Sequence, residues 1–297
     1  MKQFRNILIL VFICLLITTN GFNQDFIDLA STGMNYVPDN KYEDADSSFS
    51  FSHQFFNIQY PHVFENKDIL LGKISLNRYH SGETGFPDLY IFYLQLGMLK
   101  HLGEKSALRF AIIPKIASQL KDVDKTHFLA PCLAMVQFSP SENFTYGLGI
   151  LYSKEIFGHF INPAIHAKWK INNSWLLYAD FPSYGYLMYY PKKFCKAGFY
   201  ASSSTTSIRL SKEFNNAYIQ KSYGDFSLFA DLYFTKNVVL RLKGGYSTMR
   251  SLDMYAKGET VPLTISVMEF DDNRTQLNSD IDDALFFEIS LNYRYHY

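Results

Sequence analysis

The chain has 297 residues with 28 basic and 28 acidic side chains, so its formal charge is balanced. Without a basic excess, nucleic acid is excluded as a partner class. Its 27 Phe and 22 Tyr stand against only 2 Trp in a hydrophobic total of 47%, which suits a protein whose sheets are apolar on one face.

Residues 1–23 read as a signal peptide. Lys2 and Arg5 form a basic n-region, 7–17 is an unbroken apolar run, and small or polar residues follow at 18–21. The run is too short to span a bilayer as a helix, and cleavage is expected between Thr19 and Asn23. Cys14 follows Phe12 and Ile13 rather than small residues, which argues against a lipid anchor. Residues 24–297 form one domain with no second stretch apolar enough for a membrane helix.

Beyond the leader, apolar and polar residues alternate with a period of two, the signature of strands with one greasy and one wet face. A first strand begins near 28–36, and an acidic connection with Asp39, Glu43, Asp44 and Asp46 follows it. In 48–55, Phe49, Phe51 and Phe55 alternate with Ser and Gln. In 108–116, Leu108, Phe110, Ile112 and Ile116 oppose Arg109 and Lys115. In 161–171, Ile161, Ile165, Trp169 and Ile171 oppose Asn162, His166, Lys168 and Lys170. Segment 184–222 resists division. In 226–234, Phe226, Leu228, Leu232 and Phe234 face away from Asp231, and in 238–247 Leu240, Leu242 and Tyr246 face away from Arg241 and Lys243. The last strand, 285–297, places Leu285, Phe287, Ile289, Leu291, Tyr293, Tyr295 and Tyr297 on one face, with Glu288 and Arg294 on the other. Its length meets what a tilted strand needs to cross a bilayer.

Short turns are expected at 103–106, 139–143, 172–174, 191–193 and 235–237. The alternate connections, 80–87, 119–126, 210–222 and 251–282, are longer. This asymmetry predicts an all-β fold: a single antiparallel up-and-down transmembrane β-barrel with short turns on the periplasmic side. Both termini fall on that side, which requires an even strand number. The count is fourteen, with twelve as the alternative.

No enzyme motif is present: GxSxG, HExxH, CxxC and the glycine-rich phosphate loop are all missing. The eight His are scattered, and no metal ligand set or cofactor is expected. Acidic residues Glu269, Asp271, Asp272, Asp280, Asp282 and Asp283 flank the longest loop and read as a solvated surface, with Ca²⁺ or phosphate bridging as the sharper alternative. Cys132 and Cys195 fall on separate strands and are expected to form no disulfide. The inward cations Arg109, Lys115, Lys168, Lys170, Arg241, Lys243 and Arg294 predict a weakly anion-preferring pore if the lumen is open. If it is plugged, they pair with Asp180, Asp231 and Glu288. Trp169, Trp175, Tyr189, Tyr190, Tyr293 and Tyr295 fit interfacial girdles.

The stretches GFNQ (21–24), NNSWLLYADFPSYGYLMYY (172–190) and LFFEISLNYRYHY (285–297) resemble the outer-membrane β-barrel proteins common in Bacteroidetes, including a family of uncharacterised function. The resemblance implies an outer-membrane location, contact with outer-membrane lipid and lipopolysaccharide, and a terminal Tyr293, Tyr295, Tyr297 signal read by the barrel-assembly machinery. It carries over no catalytic residue. The expected function is non-enzymatic: a passive channel or transporter for small solutes. A structural or adhesive barrel with a closed lumen is the alternative, followed by a membrane-embedded hydrolase.

Overall fold

A computed structural model describes residues 26–43, 48–82, 86–192 and 194–296. The signal-peptide expectation, Asp44, Asp46 and Tyr297 lie outside these residues. The chain runs through β1 (Phe26–Lys41), β2 (Ser48–Val63), β3 (Ile69–Ser81), β4 (Leu89–His101), β5 (Ser106–Ile112), β6 (Lys115–Ser118), β7 (Phe128–Leu129), β8 (Cys132–Ser141) and β9 (Phe144–Glu155). It continues through β10 (Gly158–Asn172), β11 (Trp175–Phe181), β12 (Tyr184–Lys192), β13 (Cys195–Arg209), β14 (Tyr218–Tyr233), β15 (Val238–Tyr255), β16 (Val261–Ile265), β17 (Met268–Phe270) and β18 (Ala284–His296).

The wall strands pair antiparallel in chain order, with β4 beside both β5 and β6, β5 beside β8 and β15 beside β18, and β1 pairs with both β2 and β18, so the sheet closes on itself. Thr32 illustrates the closure, lying opposite Phe56 on one side and Leu291 on the other. The result is a closed antiparallel barrel of fourteen strands. Two of the fourteen are interrupted: β5 and β6 at Ile113–Pro114, and β7 and β8 at Ala130–Pro131. Proline has no amide hydrogen for the ladder. The ladder is kept by Ile113 N–H donating to the Pro131 carbonyl at 2.8 Å and Leu94 N–H donating to the Pro114 carbonyl at 3.0 Å. Strands β16 and β17 form a hairpin within the last long loop.

The alternation sorts side chains into two surfaces. Outward positions are large, apolar and exposed, among them Leu148 (63%), Leu228 (71%) and Leu285 (60%). Inward positions carry the polar residues, and many are buried: Ser75, Gln137, Asn162, Asp231, Ser290 and Arg294. No helix among the described residues is long and apolar enough to cross a membrane.

Both ends of the described chain, Phe26 and His296, face each other at one end of the barrel. The connections at that end are short, as expected. At the other end, 42–47, 82–88, 119–127, 210–217 and 256–283 are longer. Two connections there depart from the expectation: 156–157 and 182–183 span only two residues. The first is tight because Gly158 adopts φ +134°, and a Cβ there would lie 1.9 Å from the Val261 carbonyl oxygen. The second leaves β11 and β12 shorter than their neighbours. Cys132 and Cys195 sit on β8 and β13, and no disulfide joins them.

Candidate functional site

The site is the barrel interior, and its form follows from the short β11–β12 hairpin. β13 pairs with β12 only as far as Ser202 opposite Tyr184. Beyond that point β13 and β14 remain paired with each other up to Arg209 opposite Tyr218, with no β12 beside them. This outer half carries a Ser/Thr run, 202–207, instead of large apolar side chains facing outward. That run offers no apolar face to an outer surrounding, and the hairpin leans inward across the barrel mouth, where its apolar tip is buried. Arg209 bridges Ser118 of β6 on the facing wall.

Apolar residues at the tip of this hairpin, Ile208, Leu210, Ala217 and Ile219, pack against Phe51, Tyr79, Leu89, Ile91, Ala117 and Phe286 of the wall. Its other side places Tyr218 against Phe157, Phe160 and Tyr255. A buried polar latch holds the contact. Lys115 Nζ donates to Glu155 Oε1 at 2.8 Å and to Thr206 Oγ1 at 2.6 Å. Ser207 donates to Glu155 Oε2 from its N–H at 3.0 Å and from its hydroxyl at 2.6 Å. The Ser207 hydroxyl in turn accepts from Ile156 N–H at 2.9 Å.

The last long loop covers the hairpin from outside. β16 adds in parallel to the free outer part of β10, beyond the reach of β11. Arg274 donates to Asp272 at 2.8 Å, to Glu269 at 3.0 Å, to Gln220 at 2.7 Å and to the Tyr218 hydroxyl at 3.1 Å. Its guanidinium also lies 3.9 Å over the Tyr255 ring. Burial opposes the Arg274 charge, but hydrogen bonds to Asp272 and Tyr218 overcome this and raise its pKa. The hydrogen bond from Arg274 holds the Asp272 carboxyl well below the usual carboxylate range.

Carboxylates pair with the inward cations Arg109, Lys115, Arg241, Lys243 and Arg294. Arg109 makes a two-pronged pair with Asp180 at 2.8 and 2.9 Å, and Asp180 also lies 3.2 Å from His166 Nδ1. Lys115 belongs to the latch. Arg241 pairs with Asp231 at 2.6 and 2.8 Å, and Lys243 with Glu288 at 3.0 Å. Arg294, fully buried, bridges Asp28 at 2.6 Å and Asp231 at 2.8 Å and donates to the Tyr233 hydroxyl. Lys168 and Lys170 are half-buried at inward positions of β10 near the terminal end. The cations thus form separate clusters rather than a ring of like charge.

The remaining lining is polar and aromatic. Tyr178 stacks on Tyr186 at 5.3 Å, and Tyr184 on Tyr200 at 6.0 Å. A chain of hydrogen bonds links His53 to Asn77, Asn77 to Ser75, and Ser75 to Asn57. Of the expected girdle aromatics, Trp169, Trp175, Tyr293 and Tyr295 face outward and exposed. Tyr190 does not: it follows Tyr189, which faces outward beside Trp175, so it points inward, and its ring meets Lys196 Nζ there at 4.5 Å. Among the described residues no three acidic, His or Cys groups converge to hold a metal ion.

A family described as a domain of unknown function, DUF6268, matches residues 74–294. The chain belongs to the DUF6268 family. The matched stretch opens in β3 and closes at Arg294, so it contains the plug hairpin, the latch and all seven inward cations. No curated protein matches by sequence. Among solved structures, the DUF6268 chain is similar to the NanC porin, with a TM-score of 0.41 and 6% identity over 89% of this chain and 98% of that one. It is also similar to LpxR from Salmonella typhimurium, with a TM-score of 0.37 and 8% identity over 89% and 99%. A third is a mutant of the TodX monoaromatic hydrocarbon channel, with a TM-score of 0.37 and 9% identity over 94% and 91%.

The plug was not visible from alternation alone, because 210–222 reads as an ordinary loop. One signal was present. A strand-length Ser/Thr run has no greasy face, so it cannot lie in a lipid-facing wall. Glu155, Thr206, Ser207 and Arg274, which fix the plug, come from that run or from the tight turn and long loop beside it.

Proposed function

We propose that this DUF6268 protein is an outer-membrane barrel working as a gated channel for small polar solutes, with the β13–β14 hairpin as its gate. The exposed apolar outer wall supports membrane embedding, since a closed barrel leaves no sheet edge unsatisfied in lipid. The observation that carries the gate is the hairpin itself, which stops the mouth above a polar lining. Its outer half is held by the hydrogen bonds at Glu155, the apolar packing of its tip and the Arg274 contacts, rather than by a ladder to β12 on its β13 side. A standing pore with anion preference set by Arg241 and Lys243 is disfavoured, because both are paired with carboxylates, Arg241 with Asp231 and Lys243 with Glu288.

Planar-bilayer conductance tests the reading. The unaltered protein is expected to be closed most of the time. Glu155→Ala, or replacement of 204–221 by a short Gly/Ser link, is expected to give long-lived openings. A closed structural barrel is the second reading, favoured by the buried Arg294–Asp231–Arg241 cluster. It becomes the correct one if removal of the hairpin tip produces no conductance.

A further inference from the structure

The outward wall carries an apolar groove of about 570 Å³ crossing β3, β4, β5, β8 and β9. Two transverse rows of side chains bound it. One runs through Leu70, Met98, Phe110, Ala134 and Ile150, each register-paired with the next. The other runs through Leu96, Ile112, Cys132 and Tyr152. Ala134 and Cys132 are small where their neighbours are large, so the rows part and the strand backbone forms the floor.

The groove leads toward a cationic end. Lys154 is the next outward residue after Tyr152 on β9, and it is paired in register with His159 of β10. Both are exposed, and Lys154 makes no ion pair among the described residues. The Tyr152 hydroxyl lies 2.9 Å from His159 Nδ1. With Nδ1 turned to the Tyr152 hydroxyl, Nε2 is the ring nitrogen left to meet a ligand. Both residues sit at the loop end of the barrel, away from Phe26 and His296. An apolar trough leading to an ammonium and an imidazole at the rim matches an acyl chain attached to a phosphate.

We infer that this groove binds one molecule of lipopolysaccharide, with an acyl chain between the two rows and a lipid A phosphate on Lys154 and His159. The inference rests on the membrane placement proposed above, with the loop end facing outward. In the outer leaflet the phosphorylated acyl lipid in contact with that rim is lipopolysaccharide.

Native mass spectrometry of the detergent-purified full chain, titrated with lipid A and with phosphatidylglycerol of matched chain length, tests it. One tightly held lipid A per chain is expected, with preference over phosphatidylglycerol. Lys154→Glu is expected to weaken retention roughly tenfold, the loss of a charge-assisted contact. Ala134→Phe, which fills the trough, is expected to weaken it similarly. Arg78→Gln, at a rim cation already paired with Asp88 at 2.7 Å, should leave retention unchanged. Lipid A binding that is indifferent to Lys154→Glu, or equalled by phosphatidylglycerol, overturns the inference. Insertion of each variant into liposomes is followed in parallel. Failure of the unaltered chain to insert removes the membrane reading itself, whereas insertion without selective lipid A binding removes only the lipopolysaccharide site.

Discussion

A buried guanidinium needs a counter-charge inside the barrel, and Asp231 serves two of them. Its carboxylate accepts from both Arg241 and Arg294 and is itself fully buried. Asp231→Ala would leave Arg241 without its carboxylate and Arg294 with Asp28 alone. Breaking a buried ion pair from one side costs about 3–5 kcal/mol. The expected outcome is a lower urea midpoint with an unchanged slope, read by Trp fluorescence of the detergent-solubilised barrel. The inward placement of Arg109, Arg241 and Arg294 was legible in the sequence, because each interrupts an apolar alternation. Of their partners, Asp180 and Asp231 are among the acids the alternation sets against them, but Asp28 is not. Asp28 is 266 residues from Arg294, and only the register that closes β1 on β18 brings the two together.

The β13–β14 hairpin shows how an element can satisfy local rules and still leave the wall. Its backbone ladder is regular as far as Arg209 opposite Tyr218, yet its outer half follows the short β11–β12 hairpin inward. The sequence could not be divided over 184–222 for this reason: the alternation there serves two surroundings, a wall below and a plug above. The lock over the plug has a pH dependence of definite sign. Asp272 titrates lower when held by Arg274 than its ordinary value of 3.8. The stability it adds to the loop is therefore complete above that value and is lost as pH falls below it. Exchange of the Arg274–Gln220 region, measured by deuterium labelling and expressed relative to the intrinsic amide rate at each pH, is expected to quicken at pH 3 relative to pH 6. Asp272→Asn should show fast exchange at both pH values. The same fast exchange at pH 3 without any change on substitution would assign the effect to another carboxylate.

At the scale of the whole molecule, the barrel wall has no edge strand, so it is complete only once β1 has paired with β18. The alternation and turn asymmetry specify strand direction and even number, but they do not say how tightly β1 must approach β18. That information resides in side-chain volume at the seam. Gly33 of β1 lies where an added Cβ would be 2.5 Å from the Ile289 carbonyl oxygen, 2.6 Å from Ser290 Cβ and 2.7 Å from the Phe55 ring. Gly72 of β3 faces outward with no atom within 4 Å of such a Cβ. The two glycines are indistinguishable by composition, and the closed barrel separates them. Gly33→Leu must push β1 from β18 or displace Phe55, and overpacking of this kind costs about 1–3 kcal/mol. Gly72→Leu adds apolar surface to an already apolar wall and costs the fold nothing. On a heat-modifiable gel after refolding in detergent, Gly33→Leu is expected to shift material from the compact to the unfolded band, while Gly72→Leu matches the unaltered chain. Equal bands for both would mean that closure tolerates a wider seam than the register of β1 and β18 implies.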